Sequence, residues 1–363
     1  LERHPRSGRR RRPQLLQRAR DFAPRELDPP DVPFAAAFDD QPLAQRVGRV
    51  DHQRGIEALV TGFPPTPHAS VLKLDRAQRN FVTVAELLRR RGYATDFIYG
   101  GASHFDNMAG FMLGNGFQKV IDERDFTAPV FHGTWGVSDE DLVQRAHATF
   151  VAHGDQPFFA LMLSTTNHEP FEFPEGRIQL HEQPANTVHN AMKYADYAIG
   201  EFFRLAKQEP YFKNTVFAVV ADHNTRVYGA DLVPVNKFHI PALIVGPGVT
   251  PQHYTKVTSQ IDLLPTLLDL MGLDTEHPMI GRNIFTMPAD DPGHAIMQYN
   301  NVHAFMTGNQ VMIHEPYKAP AQFIYQNGHL TAVALNPELE RDALAHLVLP
   351  NILYNERRYT LGK

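Results

Sequence analysis

At 363 residues the chain exceeds a single typical domain of about 100–200 residues, so it forms one large α/β domain or a large domain with a small satellite. Hydrophobic residues make up 43% and charged residues 21%, an ordinary globular composition that excludes a disordered, collagenous or disulfide-scaffold protein. With no cysteine, disulfides, thiolate ligands and cysteine nucleophiles are excluded, and any metal must be held by His and carboxylate. No run approaches the roughly 18 apolar residues that a spanning helix needs.

The net charge of −5 is unevenly placed. Residues 1–20 carry eight Arg against Glu2, a local charge of +7, which leaves −12 on the other 343 residues. Stretch 1–53 continues with Pro24, Pro29, Pro30 and Pro33 and offers no convincing strand and only a weak helical pattern. A nucleic-acid or membrane-surface arm, a flexible tail and a segment foreign to the native reading of the gene are the three readings of this head. The third is favoured, on the motif evidence below. Nucleic-acid binding finds no accompanying basic or aromatic stripe in the rest of the chain.

From Arg54 onward normal apolar periodicity begins, and from residue 80 helix and strand signals alternate as in a doubly wound, mostly parallel sheet. Asn80 is expected to cap a helix bearing Val84, Leu87 and Leu88, ended by Gly92, before a short strand from Thr95 to Tyr99. Ser138 with Asp141 predicts a capping box opening a helix to about His153. Phe158 to Ser164, Thr215 to Ala221 and Ile240 to Val245 are continuous apolar runs, the signature of strands covered on both faces. Between the first two, Met192, Ala195, Ile199, Phe202, Phe203 and Ala206 recur at helical spacing. Another helix is expected from about Asp262 to Met271. Beyond residue 290 short strands at Ala295–Tyr299, Gln310–Ile313 and Gln322–Tyr325 predict a small antiparallel appendage, then a helix around Pro337–Leu347. The divisions are therefore 1–53, 54–290 and 291–363.

Polar residues gather directly after the buried runs. Asp222-His223-Asn224, Thr165-Thr166-Asn167-His168 and Gly100-Gly101-Ala102-Ser103-His104 each follow a strand signal, and in an open parallel sheet such ends share one edge where ligands bind. An Asp-His pair there supplies one hard oxygen and one imidazole nitrogen, half of a divalent-metal site. The alternative is a capping Asp beside a satisfied core His. Adding His168 tips the balance toward a metal or anion site. Trp135, the only tryptophan, reads as a loop anchor before a stacking platform. His239 precedes a strand and faces either the pocket or solvent. Asp262 reads as a helix cap.

The segments Ser164-Thr165-Thr166-Asn167-His168-Glu169-Pro170-Phe171, Tyr194-Ala195-Asp196, Val220-Ala221-Asp222-His223 and Ser259-Gln260-Ile261-Asp262-Leu263-Leu264-Pro265-Thr266, in that order, resemble the lipoteichoic acid synthase-like branch of the sulfatase and alkaline phosphatase superfamily. The resemblance spans about residues 54–290. It implies an alkaline phosphatase-like α/β domain with a small C-terminal antiparallel subdomain. The implied activity is that of a phosphoglycerol transferase, or of a phosphate or sulfate ester hydrolase, with a Thr nucleophile and one divalent ion, Mn2+ favoured over Mg2+ or Zn2+. It further implies membrane tethering through a segment outside this chain, the periplasmic face of the bacterial inner membrane, and an ester substrate that is lipid- or glycan-linked. Asp222 and His223 become the metal ligands, and His168, with His104, Asp106, Asn107 and His239, lines the substrate site.

Two departures stand out. Where the polymerising synthases carry a Trp and an Arg, this chain has Asp106 and Met108, so Ser103 to Asn107 is closer to Gram-negative members. The residues before Arg54-Gly55-Ile56-Glu57-Ala58, where the family places its nucleophile, are Val50, Asp51, His52 and Gln53, with no hydroxyl among them. A first strand with an acidic ligand is also unrecognisable in 1–53. A frameshift or misassembled gene start explains both absences; divergence to an anion-binding or sensing pseudoenzyme is the alternative.

Overall fold

The structure, a computed structural model, describes residues 52–361 apart from 68, 225, 226 and 228. The arginine-rich head, and the readings of it, lie outside the described residues except at its last two positions. There the expected boundary shifts: α1 spans His52–Thr61, and Gln53 within it is buried.

The central layer is a parallel sheet of three strands, β1 (Ala94–Tyr99), β2 (Lys119–Ile121) and β5 (Phe158–Leu163), in the order β2-β1-β5. Ala94 pairs with Phe158 and Tyr99 with Leu163, so β1 and β5 run in step over six residues. Alternate side chains leave on opposite faces. Ile98, Phe158, Ala160 and Met162 pack under α4 (Asp139–His153) and α5 (Val188–Ala206), while Phe97, Tyr99, Phe159, Leu161 and Leu163 join the layer that contains Ile56 and Val60 of α1. The result is a helix–sheet–helix sandwich.

Local chemistry explains the helix starts. Ser138 caps α4 by accepting the Asp141 N–H, but the return half of the box is absent. The Asp141 carboxylate instead accepts the Ser138 hydroxyl and the amides of Val130 and Phe131, which anchors the preceding loop. The short helix α2 (Val84–Arg89) is capped by Thr83, whose hydroxyl oxygen accepts the Glu86 N–H. Asn80, the expected cap, sits in the left-handed region at φ 61° and belongs to the turn before it.

The larger correction concerns β6 (Phe217–Val220) and β7 (Ala242–Val245). Both were expected inside the parallel sheet. They pair with each other, antiparallel, as a separate ribbon among the described residues. The sequence pattern cannot distinguish these outcomes, because continuous apolarity is direction-blind. Burial also departs from expectation: β1 is fully buried, whereas every residue of β5 is half-buried and Ala218 of β6 is exposed. Among the described residues, β5 and β6 both border one cavity.

After residue 290 five strands, β8 (His294–Tyr299) through β12 (His329–Val333), form an antiparallel meander, and α7 (Pro337–Asn355) extends eight residues beyond its expected end. The segment after α7 returns to the main domain. Tyr359 stacks on Phe81 with ring centroids 4.3 Å apart and donates its hydroxyl to Arg76 O.

His294 on β8 supplies a stability test. Burial, reinforced by the charges of Arg282 and His346, pushes its pKa down to about 4, against the smaller pull of Asp291. The unfolded chain therefore binds a proton between pH 6.5 and about 4 that the folded chain refuses, so stability falls as pH is lowered through that window. The full effect is at most about 3 kcal/mol. Denaturant titrations across this range should show a shallower pH slope for His294→Gln than for the parent.

Candidate active site

The polar segment after β6 is held in place from two directions. An added Cβ at Gly55 of α1 would lie 2.4 Å from Asp222 O, so the helix can reach the end of β6 only with glycine there. From the other side the Gln260 side chain donates its Nε2 to Asp222 O at 2.7 Å and to Ala221 O at 3.2 Å. The Arg-Gly and Ser-Gln-Ile-Asp motifs thus meet on one backbone carbonyl. The sequence alone assigns Gln260 no role, because an amide that holds a main chain looks like any other surface polar group.

Asp222 and His223 are half-buried neighbours whose Oδ2 and Nε2 stand 3.7 Å apart. The His223 Nδ1 lies 2.7 Å from Asn224 O, and a carbonyl can only accept, so Nδ1 carries the proton and the neutral ring has its lone pair on Nε2. This tautomer suits a metal ligand, with a backbone carbonyl fixing the second nitrogen. Oδ1 of Asp222 meanwhile accepts the His223 N–H at 2.9 Å, which leaves Oδ2 on the His223 side.

His168 and Asp222 line the same cavity, of about 940 Å³, that opens between the ends of β5 and β6. His168 is stacked on Trp135 at 4.7 Å, and the indole Nε1 donates to Glu169 O at 2.6 Å. The tryptophan therefore anchors the loop and also presents a platform, with Phe105 edge-on at 5.9 Å. Its placement depends on the Gly100-Gly101 turn: a Cβ at Gly101 would meet Trp135 O at 2.5 Å, and one at Gly136 would meet Gly100 O at 2.2 Å. Asp139, buried at the start of α4, accepts the amides of Thr165 and Thr166 and so fixes the loop that carries His168. Burial pushes its carboxyl above the usual range.

The remaining expected residues divide. Asp106 pairs with Lys73 at 2.9 Å, and the Asn107 amide donates to Leu72 O and to the Gln78 side chain; both residues adopt left-handed backbone, and both brace the 71–78 segment. Ser103 donates to Asp122 at 2.6 Å. Burial works to raise the Asp122 pKa, but the Arg124 side chain, Ser103 and the Arg124 amide together hold it down at about 2. His104 and His239 are exposed and line neither of the two cavities bordering Asp222. Lys237, two residues before His239, borders the smaller one with Asp222 and His223. Asp262 is structural as expected, but as the third residue of a capping box with Ser259, and it also accepts the Arg282 amide at 2.7 Å.

Tyr99, at the end of β1, belongs to this neighbourhood, although the sequence marks it only as the last residue of a short strand. Burial, then the carboxylates of Glu123, Asp222 and Asp106, push its hydroxyl up to about 12. Thr61 and Thr165 are both engaged with the backbone. Thr61 donates to Glu57 O at 2.6 Å, and Thr165 to Val137 O at 2.8 Å.

A parallel sheet between two helix layers, followed by a separate antiparallel sheet, is the alkaline phosphatase class of fold. A crystal structure of a Vibrio parahaemolyticus protein in the alkaline phosphatase superfamily is 41% identical, superposes with a TM-score of 0.83, and is matched over 86% of this chain and 78% of that one. The sulfatase family profile matches residues 53–273, and the chain belongs to the sulfatase family. Its curated relatives include the lipoteichoic acid synthase-like YvgJ of Bacillus subtilis, 24% identical over 55% of this chain and 36% of that protein. Lipoteichoic acid synthase of Staphylococcus aureus is 23% identical over 75% and 43%. The chain thus spans about two-fifths of the length of these relatives. The Listeria monocytogenes synthase LtaP, 20% identical with a TM-score of 0.69 over 86% of this chain and 82% of that one, shares the fold.

Gly55→Ala tests the seam. In an ordinary helix the change stabilises by up to about 1 kcal/mol; here it should destabilise by about 1–3 kcal/mol, because the methyl group meets backbone. Urea midpoints for Gly55→Ala and Gln260→Ala, both expected to fall, check this.

Proposed function

We propose that this chain is the ester-binding domain of a metal-dependent phosphotransferase or phosphate or sulfate ester hydrolase of the phosphoglycerol transferase type, acting at the periplasmic face of the inner membrane, and that it turns over little ester as written. The observation that carries the reading is the Asp222–His223 pair, with its fixed tautomer, on the wall of the cavity that also holds His168. These residues fit a hard or borderline divalent ion, Mn2+ favoured over Mg2+ or Zn2+, one oxygen and one nitrogen at a time. Such an ion, when bound, neutralises charge on a transferring phosphoryl or sulfuryl group and acidifies a hydroxyl near it.

The chain's own residues would do the rest of the binding. His168, its ring held by Trp135, reaches toward an ester oxygen, and Lys237 adds a positive charge beside Asp222 and His223. Asp106 and Asn107 support the adjoining loop in this reading, and His104 and His239 are released from the site. The substrate is a phosphate or sulfate ester, with a lipid- or glycan-linked one in keeping with the named relatives. No described helix is long and apolar enough to cross a membrane.

Low turnover follows from the hydroxyl inventory. None stands at positions 50–53 directly before Arg54, and Thr61 and Thr165 donate to main-chain carbonyls in the protein interior. Without a covalent intermediate, water must attack in one difficult step. Mn2+ titration followed by electron paramagnetic resonance should show weak binding, reduced about tenfold or more in Asp222→Ala and His223→Ala. With a phosphodiester and a sulfate ester, turnover should stay near the uncatalysed rate and appear when a family-like N-terminal segment replaces residues 1–53. Robust turnover in the present chain, abolished by Thr165→Val or Thr61→Val, would reassign the nucleophile.

A further inference from the structure

The connection from β5 to α5 ends in a second group of metal-type donors. His181, Glu182 and His189 each offer one ligand atom, and the three atoms lie within 4.8 Å of one another. None of the three residues borders either cavity beside Asp222. The tightest pair is His189 Nδ1 with a Glu182 carboxylate oxygen at 2.9 Å, and the rings of His181 and His189 meet edge-on with centroids 5.6 Å apart. Asn190, the third residue of α5, is what brings them together. Its buried side-chain oxygen accepts the main-chain N–H of His181 at 2.7 Å and that of Glu182 at 3.4 Å, and its Nδ2 donates to the carbonyls of Glu182, Pro184 and Ala185. The loop backbone is thereby tied to the helix beside His189. Thr187, the helix cap, accepts the Asn190 N–H on its hydroxyl oxygen and spends its own proton on the Glu182 carboxylate. His181 stays exposed, with Glu182 and His189 half-buried.

We propose that His181, Glu182 and His189 form a Zn2+ site separate from the Asp222–His223 pair, with three protein ligands and a fourth position open to water. Two imidazole nitrogens and one carboxylate oxygen are a borderline donor set, which suits Zn2+ and disfavours Mn2+ and Mg2+, ions that prefer oxygen. Donor type therefore sorts the metals. Bonds of about 2.0–2.2 Å in a tetrahedron put ligand atoms about 3.4 Å apart. That separation falls between the 2.9 Å of the closest pair and the 4.8 Å limit, so small side-chain rotations close the site. The carboxylate has a second use: the N-terminus of α5 carries positive partial charge that repels a cation, and Glu182 offsets it. An ion held by His189 on the helix and by two loop residues crosslinks the end of the 164–187 connection to α5. His168 lies on the same connection, and Asn186 donates to Pro170 O two residues beyond it. The simpler alternative is a hydrogen bond between Glu182 and His189 with His181 as a bystander. It predicts no metal.

The test uses the full 363-residue chain carrying Asp222→Ala and His223→Ala, which silences the other proposed site, so that the two proposals succeed or fail separately. Calorimetric titration with Zn2+ should show one ion per chain. Affinity should fall about tenfold or more when His181→Ala, His189→Ala or Glu182→Gln is added. His181→Ala is the decisive variant, since His181 is tied to Asn190 through its main-chain N–H and its exposed ring can be removed without disturbing that tie. Hydrogen–deuterium exchange locates the ion. Zn2+ should slow exchange across 181–190 by about threefold or more, and should not do so in the chain with His181→Ala. Zn2+ affinity unchanged by all three substitutions would assign the binding to other histidines and overturn the proposal. The same conclusion follows if no Zn2+ binds, if Mn2+ in about tenfold excess displaces it, or if it binds without protecting 181–190.

Discussion

The main-chain oxygen of Asp222 is the point on which the site depends. It is touched by the bare face of α1 at Gly55 and by the Gln260 amide, two segments that are two hundred residues apart in the chain. Neither contact involves a catalytic atom, yet together they fix where β6 ends and hence where the Asp222 carboxylate and the His223 ring begin. A buried carbonyl that accepts from a side chain cannot move without leaving that amide unsatisfied, at a cost of about 1–3 kcal/mol. The close packing at Gly55 blocks motion in the other direction. The polar segment after β6 is thereby held from two sides.

The sequence disclosed the features that depend on local pattern. Strand β1 and helix α4 fall within a residue of their expected bounds, because an uninterrupted apolar run and a Ser-x-x-Asp start are local signals. Where a choice depended on distant chain, the sequence was silent. The run Ala-Leu-Ile-Val of β7 has the same apolarity whether it adds in parallel or turns back on β6, and it turns back. Asn80 looked like a cap because its side chain can cap, but the fold uses its tolerance of positive φ instead. Asp222, His223 and His168 were legible as strand-end residues. Gln260, Gly55 and Asp139 act on the backbone of other segments, a role that carries no chemical signature in the sequence.

The loop after β5 shows how positioning is distributed. Asp139, from the first turn of α4, receives two amides of this loop, and Trp135, from the hairpin before α4, supplies a ring beneath His168 and a donor to Glu169 O. The same short region of sequence, 135–139, thus holds the loop at its start and at its middle. Gly100, Gly101 and Gly136 let that region cross the end of β1 at backbone contact distance. Substituting the tryptophan removes both the stacking surface and the anchor, so its effects on ligand affinity and on loop order cannot be separated by one variant; Trp135→Phe, which keeps the ring and drops the N–H, separates them.

Electrostatics then constrains the order of events. Outside the first twenty residues the protein carries −12, and Tyr99 reports a negative field at the site itself, since Asp222, Glu123 and Asp106 all oppose its ionisation. An anionic ester entering that field is repelled by the same carboxylate that would serve as a metal ligand. His168 and Lys237 could offset at most two of these three carboxylates. Under the proposed function a divalent cation held by Asp222 and His223 would change the sign of the local field. Under the proposed function the ion must therefore bind before the ester, and ester affinity should rise with metal concentration by the same factor that metal affinity rises with ester, as linkage requires.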